Sequence, residues 1–414
     1  MKKIFIISAF LLLVSQSYAQ KNFNVRDFGA KGNGTTDDTQ AFLNCLKEAV
    51  KVNSSIVLIP YGEYKISEPI DVYYTDKSLT LKGISKNGKK PTITTGDKNI
   101  NIISLRGYAF KDASQGSATV ENIRLVGGNP PYTNKHPFIH KSKFFYGIYI
   151  ADKNKAFVNN VEIESIYGEG IGIISTDQQM AGKGRFEFVS VNNSKIINCW
   201  GYNPETDDYG DGIYIANTQK GEVKNNIIHN NLLVTKQLGR GGIVLEWLAD
   251  HILIQNNDVK GYDRGIHLEG TCGGQQIINN NFSGSDLGIV LYEYKRSECS
   301  PEPVLIKENV INNTGFKKSL QVNRVRKPRS MINFLAKDNS RAGSIIESNT
   351  FTIDGNYQFE GNSFANIISD NLIFKNNRFV VINPKGLKQP VFINDNGQNT
   401  KLINNSLQGV KIKH

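Results

Sequence analysis

Short apolar runs recur along the chain, and within each run the pattern alternates. In GIYIA at 147–151, GIGII at 170–174, GIYIA at 212–216, GIVLE at 242–246, GIHLE at 265–269 and GIVLY at 288–292, the residues one and three after the glycine are aliphatic. The residues two and four after it vary between aromatic, small, charged and apolar. A period of two, carried by β-branched side chains, predicts half-buried strands rather than helices. Less regular versions, MINFLA at 331–336 and PVFIND at 390–395, extend the series. In each strand the aliphatic pair faces a core and the variable pair faces outward.

A second series interleaves with the first. It runs Asn198-Cys199-Trp200, Asn226-Ile227-Ile228, Asn257-Asp258-Val259, Asn280-Asn281-Phe282, Asn309-Val310-Ile311, Asn349-Thr350-Phe351, Asn377-Arg378-Phe379 and Asn405-Ser406-Leu407. Its spacing, stretched by insertions, is that of a solenoid. One unit shows the coil: GIHLEG is a strand, TCGG a turn, QQII a strand, Asn279-Asn280 a turn and NFSG a third short strand. Three strands and three turns per repeat describe an all-β, single-stranded parallel β-helix, with asparagines stacked at one turn. A helical solenoid lacks support because no 3.6-residue period is present, and a propeller needs longer blades built from hairpins.

The N-terminal stretch NVRDFGAKGNGTTDDTQAFLNCLKEAV…SSIVLIPYGEYKI, residues 24–66, resembles the opening of the pectate-lyase-like superfamily of right-handed parallel β-helix proteins. The resemblance implies a right-handed coil with an N-terminal capping helix. It leaves activity open, since lyases, hydrolases, uronate epimerases and phage tail proteins share this start. Asp37-Asp38-Thr39 is expected to cap a helix at 40–50, whose stripe is Phe42, Leu43, Leu46, Ala49 and Val50. That helix would plug one end of the coil. The paired aspartates are therefore read as structural.

Residues 1–19 combine two lysines, an apolar run and Ser17-Tyr18-Ala19, the pattern of a secretory signal cleaved after Ala19. The expected division is 1–19 signal, 20–70 cap segment and 71–414 β-helix. The protein is expected to be a secreted or periplasmic monomer, without membrane insertion. Lys and Arg number 49 against 38 Asp and Glu, a net charge of +11 that falls to +9 without Lys2 and Lys3. This excess favours an anionic partner. Lys317, Lys318, Arg324, Arg326, Lys327 and Arg329 concentrate it in one insertion, with Lys295 and Arg296 nearby. No nucleic-acid module is recognisable, so an acidic polysaccharide is the expected partner. Of the four cysteines, Cys272 and Cys299 follow neighbouring strands of the first series and are the expected disulfide, provided their Cα atoms lie within about 7 Å.

Aligned on their glycines, the outward positions place His267 and Glu269 on one strand, Glu246 on the strand before it, and Asp211 just before Gly212. These four are the candidate catalytic residues. Arg240 and Arg264 precede the strands and would offset the stacked glutamates; alternatively Asp211, Glu246 and Glu269 would hold Ca²⁺. Tyr214 and Tyr292 are candidates for proton transfer, and Trp247 and Tyr292 for stacking on sugars. Lys295, Arg324 and Arg326 would line a groove. Asp207, Asp208 and Asp211 also resemble the aspartates of polygalacturonase-like hydrolases. The histidine expected on the next rung is replaced by Gly241 and Arg264, a departure from that pattern.

Three functions fit these residues. The first is β-elimination on a uronate-containing glycan. The second is glycoside hydrolysis by Glu246 with Glu269, at the ~5 Å of retaining enzymes, or by Asp211 with Glu269, at the ~6.5–9.5 Å of inverting ones. The third is glycan binding without chemistry.

Overall fold

The structure, a computed structural model, describes residues 20–108, 115–129, 144–176, 184–201, 210–230, 240–285, 287–315, 330–357, 363–387, 391 and 393–409. The signal-like segment, Asp207, Asp208, Arg324 and Arg326 lie outside them. Every strand pairing between rungs is parallel, in two sheets of 13 strands and one of 11. The chain visits the sheets in turn, three strands per coil, as the sequence periodicity predicts.

The 11-stranded sheet, here the front sheet, contains the glycine-led series. It includes Phe145–Ala151, Gly168–Ile174, Ile213–Thr218, Gly241–Ala249, Arg264–Glu269, Leu287–Glu293 and Ser330–Ala336. Register places Ile213, Ile243, Ile266, Ile289 and Ile332 in one inward column. Ile215, Leu245, Leu268, Leu291 and Phe334 form the next, and all ten side chains are fully buried. Burying such columns at roughly 25 cal/mol per Å² of apolar surface drives the coils to stack.

The cap helix runs Thr39–Ala49 and buries Phe42, Leu46 and Ala49, as expected; Cys45 joins the stripe, while Leu43 and Val50 are only half-buried. Of the two aspartates expected to cap the helix, only Asp37 bonds a helix amide; Asp38, at the N-cap itself, makes no side-chain capping bond. Asp37 accepts from the Thr39 amide at 3.0 Å and from the Ser67 hydroxyl, which hold its carboxyl down at about 2. Asp38 instead turns back to accept from the amides of Lys31 and Gly32. Strands Lys21–Asn24 and Asn33–Asp37, before the helix, already pair with the first coils.

The asparagine column forms, with one correction. Asn226, Asn257, Asn280, Asn309, Asn349, Asn377 and Asn405 stack, each Nδ2 donating to the next Oδ1 at 2.9–3.0 Å. Each side-chain oxygen also accepts the preceding rung's asparagine amide, and each Nδ2 also donates to a backbone carbonyl. Asn198-Cys199 does not belong to it. Ser194 holds that position, donating its amide to Asn226 Oδ1, and Cys199 is in the core. The residue before each ladder asparagine explains the Asn-Asn pairs: Asn225, Asn256 and Asn279 sit at φ of 53–57°, a left-handed turn that asparagine tolerates.

Cys272 and Cys299 are bonded, with Cα atoms 6.1 Å apart, while Cys45 and Cys199 are free and buried. No helix among the described residues is long and apolar enough to cross a membrane.

Candidate active site

The outward face of the front sheet is where polar side chains stop repeating. Register sets Tyr214, Val244, His267 and Val290 in one column and Ala216, Glu246, Glu269 and Tyr292 in the adjacent one. Glu246 and Glu269 are therefore stacked neighbours, as the glycine alignment predicts. His267 faces out of the core, yet it is only 1 % exposed. The expectation of a histidine open to a groove needs correcting: neighbouring side chains close over it, because Tyr292 lies beside its ring at 5.6 Å and Arg264 and Glu269 bind both its nitrogens.

Those two contacts fix its tautomer. Arg264 Nη1 is 2.6 Å from His267 Nδ1. A guanidinium has no acceptor, so it donates and Nδ1 carries the lone pair. The ring proton is then on Nε2, which donates to Glu269 Oε2 at 2.9 Å. Burial, chiefly, with Arg264 adding to it, brings the imidazole down to about 4, so His267 is neutral at ordinary pH. It is a positioning group that aims Glu269. Its hydrogen bond holds the Glu269 carboxyl below the usual carboxylate range.

Glu246 is placed differently. Tyr214 donates its hydroxyl to Oε2 at 2.8 Å, and Arg240 Nη1 and His267 Nε2 lie 3.2 and 3.6 Å from Oε1. Its side chain is 10 % exposed, against 45 % for Glu269. Burial raises its carboxyl despite the arginine. Asp211, 1 % exposed, is gripped by Arg240 through Nε at 3.2 Å and Nη2 at 2.7 Å, and accepts the Gly241 amide at 2.8 Å. Both its oxygens accept hydrogen bonds, and burial keeps the carboxylate away from solvent. Arg240 thus serves Asp211 and Glu246, while Arg264 serves His267, lies 3.8 Å from Asp263 and adds its charge near Glu269. Glu269 remains as the open carboxylate, held ionised by the His267 hydrogen bond and by the nearby charges of Arg264 and Arg240.

The donor set does not suit Ca²⁺. Glu246, His267 and Glu269 each offer an atom within 4.8 Å of the others, but Ca²⁺ takes six or more oxygens. Ligation through Nε2 would require moving its proton to Nδ1, against the Arg264 donor.

Trp247 and Leu248, just after Glu246, have φ of 49° and 62° in a strand whose register shifts there. Two bulky residues in the left-handed region cost roughly 1–2 kcal/mol each. Arg185 holds the bulge, donating Nη2 to the Leu248 and Thr218 carbonyls and to Asp250, each at 2.6 Å. The bulge puts Trp247 at the surface under the Arg296 guanidinium, 5.5 Å from the ring centre. Lys295, which precedes Arg296 in the chain, is exposed.

Several residues here escaped the sequence reading. Arg185 and Asp250 lie outside the aligned pentapeptides, with no pattern to mark them. Glu293, buried and pushed up to about 7, binds Thr271 and Arg341 in a second enclosed network. Glu169 did leave a signal: it precedes Gly170 as Asp211 precedes Gly212.

The coil and this face define a right-handed parallel β-helix protein whose one variable surface holds an ordered Glu–His–Arg cluster. The family described as right handed beta helix region matches residues 133–314, which contain that cluster. Alginate lyase 7 of Azotobacter vinelandii is 28 % identical over 219 residues, 50 % of this chain but only 22 % of that protein. The catalytic unit of a GH87 α-1,3-glucanase from Streptomyces thermodiastaticus aligns with a TM-score of 0.57 at 13 % identity, covering 93 % of this chain and 68 % of that one. The Streptococcus pneumoniae surface protein and adhesin PfbA aligns at 0.56 and 17 % identity, covering 95 % and 99 %. At such identities the two structures show the fold alone.

Proposed function

We propose that the protein cleaves an acidic, uronate-containing polysaccharide by β-elimination, with Glu269 as the base. One observation carries this: of the two stacked glutamates Glu269 is the open one, with its side chain 45 % exposed against 10 % for Glu246, which Tyr214 and Arg240 enclose. Elimination needs one base at the C–H beside the uronate carboxylate, whereas hydrolysis needs two accessible carboxyls. Glu269 takes the proton, the electron pair forms the new C=C bond, and the bond to the leaving oxygen breaks. Tyr292, next along the same column, is placed to return a proton to that oxygen. Arg264, Lys295 and Arg296 supply positive charge around the substrate carboxylate. The likeness to an alginate lyase supports a polyuronate as substrate.

A second reading is favoured by the glutamate geometry: Glu246 and Glu269 lie within 4.8 Å, with the first carboxyl raised and the second lowered. That is the arrangement of a retaining glycoside hydrolase. One assay separates the two. Incubation with a panel of polyuronates should produce the ultraviolet absorbance of an unsaturated uronide. New reducing ends without that absorbance would establish hydrolysis instead, and exchange at the uronate C–H without cleavage would point to epimerisation. Binding with no chemical change on any glycan would leave a binding solenoid.

A further inference from the structure

The front sheet carries a second polar and aromatic cluster, remote from Glu269. Tyr73 ends the strand Ile70–Tyr73 and Arg106 ends Ile103–Arg106; Tyr108 follows. Tyr73 and Tyr108 are 44 % and 54 % exposed, among the most exposed large hydrophobic residues described. Their rings nevertheless stack, with centroids 5.5 Å apart and planes inclined by 27°. The Arg106 guanidinium lies 3.9 Å from the Tyr73 ring centre and is pinned by Asp71 through Nε at 2.9 Å and through Nη2. Exposed tyrosines held in a fixed stack beside an anchored arginine form a preorganised surface, with little ordering entropy left to lose on binding.

Its position aligns it with the site. Register runs Tyr73, Arg106, Ala151, Ile174, Ala216, Glu246, Glu269 along one outward column. Arg106 is four rungs from Glu246, about 19 Å at ~4.8 Å per rung. Between them the column holds only Ala151, Ile174 and Ala216, so no long side chain of that column crosses the line. Tyr149 and Tyr214 flank it in the neighbouring column.

Resting on the reading of Glu269 as the centre of a polyuronate-processing site, we propose that Tyr73, Arg106 and Tyr108 form a distal subsite for an acidic sugar of the same chain. The tyrosine faces take the apolar face of the ring. Asp71 uses two of the five guanidinium donors, and the others meet the sugar carboxylate, a pairing that favours arginine. The polysaccharide then lies along the coil axis, and only chains long enough to span several rungs engage both places.

The test uses Glu269→Gln protein, so that binding is read without turnover, and compares Tyr73→Ala/Tyr108→Ala in that background. Titration calorimetry is run with oligouronates that are shorter and longer than the span. Affinity for long oligomers should fall about tenfold, as for the loss of stacking contacts, and affinity for short ones should not change. Equal affinities for long oligomers with and without the tyrosines would overturn the subsite, as would an equal loss at both lengths. Arg106→Gln should weaken long uronates but not long neutral glucans; the same loss on both would refute an acidic-sugar site. Thermal unfolding of each variant identifies any loss caused by misfolding, and Tyr108→Ala alone, at an exposed position, provides the milder variant. Failure of the two proposals is distinguishable. Length-dependent binding without any new double bond overturns the reaction and keeps the subsite. Cleavage with unaltered binding in the tyrosine variants does the reverse.

Discussion

Two polar columns run along the coil, and they behave in opposite ways. The asparagine column from Asn226 to Asn405 repeats one residue on successive rungs, and its members bond both to each other and to backbone. The outward columns of the front sheet change residue at almost every rung between Tyr214 and Tyr292. Beyond them the His267 column itself becomes a ladder, Asn333, Asn366 and Asn394, joined at 2.9 Å. A buried turn presents the same unsatisfied amides and carbonyls on every rung, so the same side chain answers each time. A face with no such demand is free to vary, and here it holds a buried imidazole between an arginine and a glutamate.

The largest effect should come from the variable face. Glu269→Gln should lower turnover by ~10²–10⁴-fold, the range for loss of a general base, while the melting temperature stays put. A large fall in stability instead would make Glu269 structural and erase the contrast with the ladder. Next is the bridge that ties the exit of the Glu269 strand to the segment carrying Arg296. Its 27-residue separation makes removal by Cys272→Ser/Cys299→Ser cost about 3 kcal/mol in denaturant unfolding.

The ladder should show the converse of Glu269. Asn309→Ala strips an acceptor from the Asn280 amide and side chain and a donor from the Ile277 carbonyl. It should destabilise by about 2–3 kcal/mol and leave turnover below the melting point intact; a selective loss of activity would break the distinction.

His267 gives a smaller, pH-dependent effect. Its folded value of about 4 lies below the ordinary 6.5, so between these limits the unfolded chain takes up a proton that the native ring refuses. Stability is therefore complete above about pH 6.5 and declines as pH falls toward about 4. Glu269, also lowered, adds to the loss on the acid side. In His267→Asn, melting temperatures across pH 4–7 should show a flatter slope than the wild type; an equal slope would place the titration elsewhere. The smallest effect is expected from chelation. With Glu246 closed and the His267 Nε2 proton directed at Glu269, added chelator should leave the rate unchanged, and abolished activity would reinstate a bound cation.

Much of this was legible before the fold was known. The glycine-led pentapeptides placed Ile266 and Leu268 inward and His267 and Glu269 outward, and stacked Glu246 on Glu269, because strand periodicity and parallel register are local and repetitive. Glu169, which stands before Gly170 as Asp211 does before Gly212, carried a similar signal but was not among the candidates. Arg185, Asp250 and Arg341 could not be found that way. They reach the site's supports from loops and turns 22 to 70 residues distant from their partners, and no period links such positions.

The sequence by itself determined the coil and the direction of the front-strand side chains, since both follow from spacing along the chain, whereas the Cys272–Cys299 bridge waited on a Cα separation of 6.1 Å that only the fold supplies. Tertiary structure alone decided which outward groups stay open. Glu246 and Glu269 are equivalent in the pentapeptide pattern, but Tyr214 and Arg240 enclose one while His267 presents the other to solvent. Burial and hydrogen bonding, which shift a carboxyl up or down, depend on neighbours gathered from several rungs. That is why two identical residues in identical frames acquire different chemistry.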